Sequence, residues 1–119
     1  MTKQLIVNAD DYGRTASVSA GIRQAHLRGI VTTTTAMMNM SSVGNDIRLA
    51  LAECPRLGLG VHLVLTAGRP VLPSERVPSL AASDGSFYKL PQMIAILQKL
   101  NPAELRAEWR AQIEKFLRT

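Results

Sequence analysis

Apolar and polar positions alternate along this chain in blocks that predict strands and helices by turns. The short run Leu5-Ile6-Val7 predicts a buried first strand over Lys3–Asn8. Val18, Ile22 and Ala25 then recur at helical spacing, and Gly29 supplies a C-terminal stop. Ile30–Met38 predicts a second strand, with the run Thr32-Thr33-Thr34-Thr35 β-branched throughout. Ser41 or Ser42 stands where a helix needs a cap, ahead of Ile47, Ala50, Leu51 and Cys54 on one helical face. Pro55 ends that helix. Leu59–Leu65 predicts a third buried strand, reached through Gly58 and Gly60. The order β-α-β-α-β is that of an α/β fold with a parallel sheet and right-handed crossovers.

Beyond Leu65 the pattern breaks. Thr66–Lys89 contains Gly68, Pro70, Pro73, Pro78 and Gly85, and predicts a long irregular excursion of the kind that is functional or flexible. It leaves the strand that carries His62, which puts it at the mouth of any site there. Asp84-Gly85 predicts the tip of a small hairpin closed by Phe87 and Tyr88. Helical spacing resumes through Leu90, Met93, Ile94, Leu97 and Leu100. Asn101-Pro102-Ala103-Glu104 then combines a cap, a proline at the first helical position and an acid at the third. Leu105, Trp109, Ile113, Phe116 and Leu117 predict the buried stripe of this last helix. Glu104, Arg106, Glu108, Arg110 and Lys115 predict its solvated face.

Three parallel strands make an open sheet and cannot close a barrel. The final apolar stripe also runs to Thr119 with no Gly or Asn to finish it. Residues 1–119 therefore read as one partial domain, incomplete at the C-terminus. Its uncovered sheet edge predicts a homo-oligomer, or pairing with a missing C-terminal segment.

Composition narrows the function classes. Hydrophobic residues make up 46% of the 119, which excludes a disordered chain, and only 4% are aromatic, so the core is aliphatic. The formal charge is +5, yet the fourteen cationic side chains are dispersed singly and do not interleave with aromatics. That pattern predicts a solvated basic surface and no nucleic-acid partner. No stretch has the apolar length of a signal core or a membrane span, and a cytoplasmic location is the default expectation. The lone Cys54 reads as a structural thiol at a helix end.

Candidate chemistry gathers at strand ends. Asn8-Ala9-Asp10-Asp11-Tyr12-Gly13 carries two adjacent carboxylates out of the first strand towards a glycine turn and a helix. Adjacent like charges repel unless a cation or proton relieves them, and strand C-termini are where catalytic groups collect in such folds. A metal site with a neighbouring base fits this pattern. So does an Asp-rich turn, with Asp11 accepting from amides of the following helix. His62 lies in Gly58-Leu59-Gly60-Val61-His62-Leu63-Val64-Leu65, where a buried imidazole needs a partner. The partner is either backbone or the Asp10-Asp11 pair across the sheet edge, and imidazole with carboxylate is a common catalytic metal set. His26, near a helix C-terminus, reads as structural. The serines lack a nucleophile-elbow pattern, Thr32–Thr35 read as ordinary strand residues, and Gly13 alone is no dinucleotide fingerprint.

Three segments together resemble the YdjC-like family of carbohydrate deacetylases: Asn8-Ala9-Asp10-Asp11-Tyr12-Gly13, His26-Leu27-Arg28-Gly29-Ile30-Val31-Thr32, and Gly60-Val61-His62-Leu63-Val64-Leu65-Thr66-Ala67-Gly68-Arg69-Pro70. Their order and spacing match, and the resemblance extends over the whole chain. It implies a (β/α) barrel-like fold and metal-dependent removal of N-acetyl groups from acetylated sugars. It further implies Asp10 as general base, with Asp11 and His62 as metal ligands. The family tilts the cation to Mg²⁺, whereas imidazole ligation tilts it to Zn²⁺. A further ligand is expected from an Asp-x-His-x-His-type motif that this chain lacks, so the chain resembles the N-terminal half of such an enzyme. The competing expectations are a non-catalytic sugar- or metal-binding fragment, and a subunit whose barrel a second chain completes.

Overall fold

The computed structural model describes all 119 residues. Residues Met1–Met37 and Ser41–His62 form one compact unit, and Met38–Met40 with Leu63–Thr119 form another. The first is α/β. Strands β1 (Asn8–Tyr12), β2 (Thr33–Ala36) and β3 (Gly58–Val61) lie side by side in that order, all parallel. Helices α1 (Ala16–Arg28) and α2 (Val43–Glu53) make the connections between them.

Each strand is shorter than its apolar run predicts, because ladder partners and not hydrophobicity set its ends. Pairing of β1 begins at Asn8 opposite Thr33, while Leu5 and Ile6 upstream are 80% and 74% exposed instead of buried. The Val31 amide turns back to the Ala25 carbonyl at 3.3 Å, so Ile30 and Val31 belong to the exit of α1. β3 stops at Val61, and His62 follows it with its amide still donating to the Ala36 carbonyl at 2.9 Å. The threonine run stitches β2 to β1 residue by residue. Thr32 Oγ1 exchanges bonds with the Val7 backbone, Thr33 Oγ1 donates to Asn8 Oδ1, Thr34 Oγ1 to the Ala9 carbonyl, and Thr35 Oγ1 to Asp10 Oδ1.

A buried polar network fixes the helices behind the sheet. Tyr12 is fully buried; its hydroxyl donates to the Asp46 carbonyl at 2.6 Å and accepts from Arg23 at 3.1 Å. Arg23 in turn pairs with Glu53 at 2.7 Å. Burial raises the Tyr12 hydroxyl above its ordinary pKa and likewise raises the buried Cys54 thiol, which sits inert at the end of α2. His26 Nδ1 lies 2.8 Å from the Val31 carbonyl, a structural contact. Ser42 occupies the cap position of α2, but its hydroxyl faces the Gly13 carbonyl at 3.3 Å and Asp46 Oδ2 at 3.1 Å, sharing its one hydrogen between these acceptors, and makes no cap.

In the second unit the excursion is an ordered loop. Ala81 bridges Phe87 in antiparallel fashion, Asp84 accepts both the amide and the hydroxyl of Ser86, and Gly85 turns at φ 78°. Those bonds to Ser86 hold the Asp84 carboxyl below its usual pKa. The next helix is brief: α3 spans Leu90–Ala95 and passes into a 3-10 turn at Leu97–Lys99. Only Met93 of its apolar positions is fully buried, and Leu90, Ile94 and Leu97 are exposed.

Helix α4 (Pro102–Leu117) starts as its sequence predicts, with the Asn101 side chain accepting from the Ala103 amide. Its buried face differs in part from the predicted one: Leu105, Trp109 and Phe116 are half-buried and Arg106 and Arg110 exposed as expected, but the most buried positions are polar. Glu108 and Gln112 are fully buried, whereas Ile113 and Leu117 are exposed. The physical reason is the loop's backbone. Glu108 accepts from the Val71 and Leu72 amides and from Gln112, and Gln112 pairs with both the amide and the carbonyl of Val64. One turn earlier Glu104 accepts from the Ser79 amide, and hydrogen bonding with Ser79 lowers its pKa. Irregular chain leaves amides that no ladder satisfies, and a polar helix face at i, i+4, i+8 supplies the acceptors. No helix in the structure is long and apolar enough to cross a membrane.

Candidate functional site

Asp10 and Asp11 lie inside β1, not after it. Ala9 pairs with Thr34 and Tyr12 with Ala36, so three steps along β1 oppose two along β2. The extra residue is a bulge, a device that re-aims side chains beside active sites. Asp11 takes it up at φ 66°, the single non-glycine residue at positive φ. Aspartate tolerates that left-handed backbone better than most residues, and such strain is concentrated at functional sites. Gly13 follows at φ 84°, where a Cβ would come within 2.5 Å of Val43 Cγ2, so only glycine fits the turn into α1.

The parallel register brings the C-terminal end of each strand to one level. Asp10 and Asp11 arrive from β1, Thr35 from β2, and His62 from the residue after β3. Asp11 Oδ1 stands 3.6 Å from His62 Nε2, with both side chains about 30% exposed. That separation is too long for a hydrogen bond. It suits two donors sharing one cation, since ligands about 2.1 Å from a common ion stand roughly 3–3.6 Å apart. The donor pair, a carboxylate oxygen and an imidazole nitrogen, therefore fits a divalent cation. No group of three or more His, Cys, Asp and Glu side chains is placed to hold a metal ion, so within this chain the set is these two.

The surrounding contacts orient each group. Asp10 Oδ1 accepts from Asn8 Nδ2 at 2.7 Å and from Thr35 Oγ1 at 3.2 Å, while its Oδ2 has no protein partner. Thr35 Oγ1 also lies 3.2 Å from His62 Nδ1. Arg14 holds Asp11 Oδ2 at 2.8 Å. The turn reading of Asp11 does not match this arrangement, because its carboxylate takes no amide of α1. The Thr15 side chain performs that capping, accepting from the Val18 amide at 3.2 Å.

Three neighbours of the site went unnoticed in the sequence. Thr35 is hidden inside a β-branched run that strand propensity alone explains. Asn8 was visible as a polar end to an apolar run, and Arg14 as a cation three residues beyond Asp11; neither spacing identifies its target.

Residues 4–119 match the family model described as YdjC-like protein. The chain is 41% identical over 119 residues to a carbohydrate deacetylase of Enterococcus faecalis, which takes in 98% of this chain and 44% of the relative. It is 38% identical over 117 residues to a chitooligosaccharide deacetylase of Proteus mirabilis, with the same two shares. A crystal structure from Enterococcus faecalis, provisionally described as a cellobiose-phosphate cleavage protein, superposes with a TM-score of 0.92 at 41% identity. That match covers 99% of this chain and 45% of the other. The chain thus spans less than half the length of these relatives.

Proposed function

This chain belongs to the YdjC-like protein family, and from that membership we propose that it forms part of a metal-dependent carbohydrate deacetylase. The reaction is hydrolysis of the N-acetyl amide of an acetylated sugar, of chitooligosaccharide type. The observation that carries this reading is the convergence of Asp10, Asp11 and His62 at one sheet edge, with Asp11 Oδ1 and His62 Nε2 3.6 Å apart.

Asp11 and His62 would hold the divalent cation, Mg²⁺ by family resemblance or Zn²⁺ by ligand type. Bound there, it would supply positive charge to polarise the acetyl carbonyl and to acidify a water. Asp10 is the base. Its Oδ1 is held by Asn8 and Thr35, which leaves Oδ2 directed to accept the water proton. Arg14 fixes the Asp11 carboxylate through Oδ2 and so presents Oδ1 to the imidazole.

The test uses a full-length relative, with acetate release from N-acetylglucosamine oligomers and bound metal as readouts. Asp10→Asn is expected to lower turnover by about 100-fold or more while retaining metal. Asp11→Asn is expected to lose both. Equal loss of metal from the two variants would show that Asp10 is a ligand and not the base. A non-catalytic sugar- or metal-binding role is the second reading, favoured by the two-donor set within this chain. Metal uptake without acetate release would select it.

A further inference from the structure

We propose that Thr35 is a positioning residue whose hydroxyl holds His62 in its Nδ1–H tautomer and ties that ring to Asp10. The inference rests on the reading of His62 as a ligand and Asp10 as the base.

The tautomer follows from counting protons. The Thr35 hydroxyl has one hydrogen and stands 3.2 Å from both Asp10 Oδ1 and His62 Nδ1. A carboxylate oxygen only accepts, so the hydrogen goes to Asp10. Given to Nδ1 instead, it would leave two oxygens facing each other through lone pairs alone. With the hydroxyl proton spent on Asp10, Thr35 Oγ1 is an acceptor and Nδ1 carries the ring proton. Nε2 is then the lone-pair nitrogen, and it is the one that faces Asp11 Oδ1.

That orientation would not persist without Thr35. The negative charge of Asp11, with Oδ1 3.6 Å from Nε2, would favour the ring proton on that side and turn an open ligand position into an N–H. Thr35 prevents this by offering Nδ1 an acceptor of its own, the part that an outer hydrogen bond plays at a metal-binding histidine. The same hydroxyl links the ligand to the base, so a single β2 residue sets the orientation of both.

Ring ¹⁵N shifts of the 119-residue chain test this at about pH 9, above the ordinary imidazole range. The chain has two histidines, and His26 is an internal reference, since Nδ1 faces the Val31 carbonyl and must also be protonated. His62 is expected to show the Nδ1–H pattern in the wild type. Thr35→Val should convert His62 to mainly Nε2–H while His26 is unchanged, and Thr35→Ser should restore Nδ1–H. An unaltered His26 signature certifies the fold of each variant. A wild-type His62 with Nε2–H, or an Nδ1–H that survives Thr35→Val, overturns the proposal. The deacetylase reading fails separately. Nδ1–H lost in Thr35→Val and restored in Thr35→Ser supports the Thr35 assignment even if a full-length relative releases no acetate.

Discussion

Tyr12 shows how much of this molecule is decided by single polar atoms. Its ring is fully buried, yet its hydroxyl is bonded on both sides, to the Asp46 carbonyl and to Arg23. Removing one buried partner costs the desolvation of whatever is left behind, about 1–3 kcal/mol. Tyr12→Phe is therefore expected to lower unfolding free energy by about that amount in a urea titration, with little change in the slope. A stability equal to wild type would mean that Arg23 and the Asp46 carbonyl are satisfied elsewhere. At the same scale the sequence was partly legible. Asp10, Asp11 and His62 stand out because charged and imidazole groups are costly beside apolar strand residues. The bulge that aims Asp11 at His62 did not, since no residue type marks an extra step in a strand.

At the scale of elements, α4 carries the sharpest lesson. Its cap, first turn and length were legible because Asn101 and Pro102 act locally. Its buried face was not legible. Helical periodicity shows two candidate faces, and the choice between them came from the amides of Val71, Leu72 and Ser79, which need acceptors from α4. The strands repeat the point: their order and direction follow from alternation, but their ends follow from partners that lie elsewhere in the chain. Glu108→Ala is expected to cost about 3 kcal/mol, because it strands two backbone amides and the Gln112 side chain. Leu117→Ser, at a position 77% exposed, is expected to change stability by no more than about 0.5 kcal/mol. Chemical denaturation of the two variants distinguishes this arrangement from a buried apolar stripe, which would reverse their order.

For the whole molecule, both compact units leave large apolar side chains in solvent. Leu5, Ile6 and Ile30 do so in the first, and Leu90, Ile94, Leu97 and Leu117 in the second. Where such side chains adjoin on the surface they favour association. We expect the sedimentation coefficient of the isolated chain to rise with concentration; a constant monomer value across a hundredfold range would contradict it. The proposed function rests on the sheet edge, where two carboxylates of β1 and the imidazole that follows β3 are read as one cation site with an adjacent base. Calorimetric titration with Zn²⁺ of the wild-type chain, Asp10→Asn, Asp11→Asn and His62→Gln decides whether that site exists. One saturable site is expected in the wild type, retained in Asp10→Asn and lost in both Asp11→Asn and His62→Gln. A wild-type chain that takes up no Zn²⁺, or Asp10→Asn and Asp11→Asn losing it alike, would rule out a cation held by Asp11 and His62 beside Asp10 as base.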